Sequence, residues 1–136
     1  MPDRKDMSSY NVMTKIHIWI GMSAKSREEF SRYFIAYPTE QQASIGASQF
    51  AKDLRIRWYD DDLIGVYYNE NSDALEQALN ELPVHPNTIQ QVQARCTDLK
   101  IERANAMFYY EDAELEVAEP NKVYNDLLYI GKFDSM

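Results

Sequence analysis

Three consecutive carboxylates, Asp60, Asp61 and Asp62, form the sharpest polar cluster in this 136-residue sequence. Hard cations such as Ca²⁺ are held by several oxygen ligands, so a metal site is the first chemistry such a run suggests. The spacing argues against it. A calcium loop alternates its ligands around a Gly and ends on a distal Glu, whereas three adjacent side chains point in diverging directions. Two other readings stand beside it: an acidic loop facing a protein partner, and a solvated turn between two strands. Glu111, Asp112, Glu114, Glu116 and Glu119 make a second acidic run. It reads either as more of a partner-facing surface or as a strand edge blunted by charge.

His17 and His85 are the only histidines, and neither has a Cys, His or carboxylate at a metal-ligand spacing. No GxGxxG, GxSxG, HExxH, CxxC or P-loop pattern is present, and four glycines leave little from which to build a phosphate-cradling loop. The absence of these motifs lowers an enzyme reading without excluding it, and no ligand set for a metal is visible. A small metal-dependent hydrolase using Asp60 to Asp62 is one reading, and an adaptor domain binding another host protein is another. Cys96, the lone cysteine, cannot form an internal disulfide and reads as a small core residue. With no apolar run of signal-peptide length near the start, a reducing cytoplasmic setting is expected.

Charge narrows the partner. The net formal charge is −8 and the sequence pI about 4.7, the wrong sign for wrapping nucleic acid or an anionic membrane. Residues 1–55 hold eight Lys and Arg against six Asp and Glu, a net of +2; residues 56–136 hold six against sixteen, a net of −10. If the acidic segments share a face, that face attracts a basic partner and matches a positively charged cleft. Several of the ten tyrosines interleave them, and aromatic anchors within a charged surround are the usual make-up of a protein interface. Tyr59, Asp60, Asp61, Asp62, Tyr110, Glu111, Asp112 and Glu114 are the expected partner-binding set.

The length fits one domain with one real core. Residues 1–11 have no apolar period and read as a flexible leader, leaving 12–136 as the domain. In TKIHIWIG, Ile16, Ile18 and Ile20 alternate with His17 and Trp19, the period of a strand whose two faces are both covered. Ser26 and Glu29 have capping-box spacing ahead of Phe30, Tyr33, Phe34 and Tyr37, a helix stopped at Pro38. A shorter helix carries Ala47, Phe50, Ala51 and Leu54. Ile56–Tyr59 and Leu63–Tyr68 read as strands joined through the three aspartates. Ser72 or Asp73 caps a helix with Leu75, Ala78, Leu79 and Leu82, and Asn87 with Gln90 forms a second capping box before Ile89, Val92, Cys96 and Leu99. The last third returns to strands over 104–110, 113–117 and 123–130, with a β-hairpin turning at Pro120-Asn121. That order is not a regular βα alternation, so the expected fold is α+β: a mixed or mostly antiparallel sheet of about four to six strands carrying about four helices.

Four stretches resemble the immunity protein 22 family, small bacterial proteins encoded beside polymorphic toxins and taken to neutralise them. They are HIWIG at 17–21 with EEF and YF at 28–34, SQFAKDLRIRWYDDDLIGVYY at 48–68, NAMFYYE at 105–111, and YIGKF at 129–133. The second is the most specific, and the likeness spans about residues 16–111. It implies an α+β fold and a non-enzymatic immunity protein, needing no cofactor, that binds and neutralises a cognate toxin; it does not identify the toxin, and a basic nuclease cleft is what the acidic loops would fit. It carries over no binding residues; the set named above rests on acidity and aromatic placement alone.

Overall fold

In the computed structural model, which describes residues 15–35, 48–56 and 61–135, strand β1 (Lys15–Gly21) lies at the middle of the sheet. Around it stand β2 (Ile64–Tyr68), β3 (Ala106–Glu111), β4 (Val123–Tyr124) and β5 (Leu127–Asp134), in the order β2-β3-β1-β5-β4 and antiparallel at every pairing. The sheet curls, and helices cover both faces. Because β1 is covered on both sides, every residue from Ile16 to Ile20 is buried, His17 included. The α+β expectation therefore holds, with five strands and four α-helices among the described residues.

The two faces are filled differently. Ile16, Ile18, Ile20, Met107 and Ile130 point to one side, where α3 (Leu75–Leu79) and α4 (Pro86–Asp98) add Ala78, Leu79, Val92 and Cys96. Burial pushes the Cys96 thiol up to about 11, in keeping with its reading as a core residue. Trp19, Phe108, Tyr110, Tyr124 and Leu127 point to the other side, where α1 (Arg27–Arg32) and α2 (Gln49–Leu54) bring Phe30 and Phe50. Trp19 stacks on Phe108 with centroids 4.8 Å apart, and Phe50 meets Trp19 edge-on at 5.6 Å, arrangements favoured by the ring quadrupoles. Helices of six residues do not persist alone in water, so α1 and α2 depend on these buried rings and on their caps. The Ser26–Glu29 capping box forms as its spacing predicts.

Four local expectations are corrected. The N-cap of α3 is Ala74 rather than Ser72 or Asp73; Asp73 O accepts from Ala104 N–H at 3.0 Å and Ala74 bridges Arg103, which holds both residues extended. Helix α4 starts at Pro86, whose fixed φ suits the first helical position, so His85 is the cap and Asn87 falls inside the first turn. The hairpin does not turn at Pro120-Asn121. It turns at Asn125-Asp126, both with positive φ (54° and 76°), the backbone a two-residue hairpin between right-twisted strands requires. No strand forms over 113–117. Leu115 and Val117 pack half-buried on the aromatic layer from an irregular segment, because β5 pairs with β1 and β4 and leaves that run without a ladder. The leader, Tyr37, Pro38, Ala47 and the expected strand residues 57–59 lie outside the described residues.

Candidate functional site

The acidic residues meet through strand register. Ile64 pairs with Tyr110 and Ile16 with Glu111, so the 3-10 turn Asp61–Leu63 that opens β2 lies at the same end of the sheet as the close of β3. Lys15 pairs with Asp134 at that end too, and the two side chains form an ion pair. Asp62 and Glu114 are exposed, and Glu111 and Asp112 are half-buried. Burial holds the Glu111 carboxyl above the usual carboxylate range. One Asp112 oxygen accepts from Glu114 N–H at 2.8 Å, a local turn that fixes how the acidic segment leaves β3. Tyr59 and Asp60 lie outside the described residues, and of Asp61 only the backbone is described.

Tyr110 is not a surface anchor. It is 4% exposed and meets Phe50 edge-on at 6.2 Å, because the alternation of β3 sends Ala106, Phe108 and Tyr110 together into the aromatic layer. The expected set therefore loses this ring, while Asp62, Glu111, Asp112 and Glu114 lie at one end of the sheet.

Beneath the acidic segment sits a contact that no local spacing foretells. His17 Nε2 donates to Asp112 O at 2.9 Å, since a carbonyl can only accept, and Nδ1 then accepts the Tyr129 hydroxyl at 2.8 Å. The ring is neutral and 1% exposed, and burial is the main cause that lowers its pKa below 6.5, with Lys132 adding to it. Lys132 Nζ donates to Ala113 O at 3.1 Å and pairs with Glu116 at 3.3 Å, while Tyr124 O–H donates to Glu119 O at 2.9 Å. Residues 112–119 are thus tied to the sheet at four points despite having no strand. The partners of His17 are 95 and 112 residues away in sequence, which is why no local spacing announces them.

At the opposite end of the sheet, a groove of about 490 Å³ is lined by Gly21, Met22, Lys100, Arg103, Asp126 and Leu128 among others. It holds no His or Cys, and among the described residues no three of His, Cys, Asp and Glu converge as a metal ion needs. No helix among the described residues is long and apolar enough to cross a membrane.

No curated protein and no solved structure was found to match the chain. A protein-family model described as Immunity protein 22 does match, over residues 16–135, from the first buried residue of β1 to the end of β5. With nearly the whole described sheet and its helices inside that match, the chain belongs to the Immunity protein 22 family.

Proposed function

We propose that this protein binds a cognate bacterial toxin domain and neutralises it by contact, without catalysis and without a cofactor, in the cytoplasm of the cell it protects. The family supports the immunity role. The observation that carries the binding mode is the gathering of Asp62, Glu111, Asp112 and Glu114 at one end of the sheet, within a part of the chain whose net charge is −10. Asp60, Asp61 and Tyr59 belong to the same proposed surface by sequence. A basic cleft, such as a nuclease uses for its polyanionic substrate, is the complementary partner. The test is co-expression with the toxin domain encoded beside the gene, followed by pull-down and by growth of cells carrying that toxin. Stable capture together with restored growth is expected. Growth arrest with no complex sinks the reading, and turnover of a toxin product by this protein alone would make it an enzyme instead.

A further inference from the structure

The two edges of the sheet are treated differently. On the β4 side the last strand has only two residues, and beyond it Arg95 Nε donates to Ile130 O at 3.2 Å, occupying an outward carbonyl of β5. Short strands and side-chain cover are the ordinary protections of an edge. Strand β2, at the other edge, has the sequence IGVYY, with no Lys, no Pro and no bulge in its register with β3. Asn69 N–H donates to Asn105 O at 2.8 Å, and this fixes the phase of the ladder. Gly65 and Tyr67 bond inward to Tyr109 and Met107, while Ile64, Val66 and Tyr68 turn their N–H and C=O groups outward. Arg27 Nη2 reaches Tyr68 O at 3.3 Å, as an outward carbonyl allows. Among the described residues, the outward groups of Ile64 and Val66 have no partner, and Val66 is 46% exposed.

Charge says what fits there. Residues 58–94, which contain β2 and its flanks, hold seven Asp and Glu and no Lys or Arg. Asp62 stands exposed just before the strand and Glu70 just after it. A second copy of this chain would bring the same negative flanks into register and be repelled. We infer that the β2 edge is a β-augmentation site: it takes an extended strand of the toxin domain, apolar at the residues beside Val66 and basic toward its ends, through the main-chain groups of Ile64 and Val66. This rests on the immunity reading for the identity of the partner and adds where and how that partner is held.

The full-length protein and the toxin domain encoded beside it test this. Amide exchange of Ile64 and Val66, read by NMR, is fast in the free protein and slows at least about 10-fold in the complex, while Gly65 and Tyr67 are protected in both. Val66→Pro removes an outward N–H that the β3 ladder does not use, and Val66→Lys places a charge on the edge. Both are expected to weaken affinity at least about 30-fold with melting temperature near wild type, and Val66→Thr to bind as wild type. Should Val66→Pro fail to fold, the lysine variant and the exchange data decide. A complex in which Ile64 and Val66 stay fast overturns the edge site and leaves the immunity reading standing; absence of any complex overturns both. Protection of these amides in the free protein, whether or not it grows with concentration, overturns the edge site as well.

Discussion

At the scale of single residues, the side chain with most leverage is His17, because it holds the acidic segment and can change charge near neutral pH. Unfolded, its imidazole takes a proton at about 6.5; folded, burial defers that proton to lower pH. Between those two values the unfolded chain binds more protons than the folded one, so stability rises with pH across the window. The His17 contribution is thus complete above about 6.5 and is lost as pH falls toward the folded pKa. Protonation also takes away the Nδ1 acceptor used by Tyr129. Denaturant midpoints from pH 7.5 down to 5 should fall for wild type and fall less for His17→Gln. Comparing the two curves removes what the carboxylates contribute, Glu111 among them. Parallel curves would mean that His17 binds its proton equally in the folded and unfolded chains, so that folding does not shift it. Gly65 is the other residue with a tight constraint. A Cβ there would come within 2.1 Å of the Tyr109 ring, which lies across the glycine and fills the place of its missing side chain.

At the scale of elements, the hairpin that closes the sheet is specified by Asn125 more than by the residues of its strands. Its backbone is left-handed, and its buried side chain joins the turn to α1, with Nδ2 donating to Phe30 O at 3.1 Å and Oδ1 accepting from Lys25 at 2.6 Å. Asn125→Gly keeps the backbone and loses both bonds, for an expected cost of about 1–3 kcal/mol. Asn125→Ala should lose about 1 kcal/mol more, the added cost of a Cβ at positive φ. Urea melts of the two variants separate these parts, and equal midpoints would show that the backbone is not what favours Asn here. The same turn shows what was legible. Period-two alternation in TKIHIWIG and the Ser26–Glu29 spacing are local signals; the strand and the capping box form as they predict, although the helix ends at Arg32, short of the expected stop at Pro38. Pro120-Asn121 and the alternation of Ala113, Leu115 and Val117 are equally local and mislead, because a strand also needs a neighbour, and β5 gives its pairing to β1 and β4. In Asn125-Asp126 the signal for positive φ was present in residue type but overshadowed by the proline.

At the scale of the whole molecule, the charge asymmetry behind the proposed acidic surface was legible along the chain, and where its segments lie was not. Residues 61–62 and 111–112 meet only because β2 and β3 are neighbours, a fact of topology. Tyr110 and Asp112 looked alike as members of one expected set, yet strand alternation buries the first, while the second lies past the end of β3 at Glu111 and is half-exposed. IGVYY reads as a strand and carries no mark that it ends the sheet. The proposed surface and the proposed edge are adjacent, and they should control different rates. Long-range charge raises the encounter rate by factors of roughly 10 to 1,000 and is screened by salt, whereas main-chain bonds made after docking set how slowly the complex parts. Asp61→Lys with Asp62→Lys should therefore slow association with the toxin domain at low salt by roughly tenfold and flatten its dependence on ionic strength. The dissociation rate should change little, and so should the melting temperature, because exposed charges add little to stability. Val66→Pro should do the reverse, leaving association near wild type and speeding dissociation. Stopped-flow association at several salt concentrations, with dissociation measured by competition, resolves the two. A double reversal that keeps the wild-type rate and salt slope would move the steering charge away from the aspartate turn, and reversal of Glu114 and Glu116 in the same assay would then ask whether the 112–119 segment carries it.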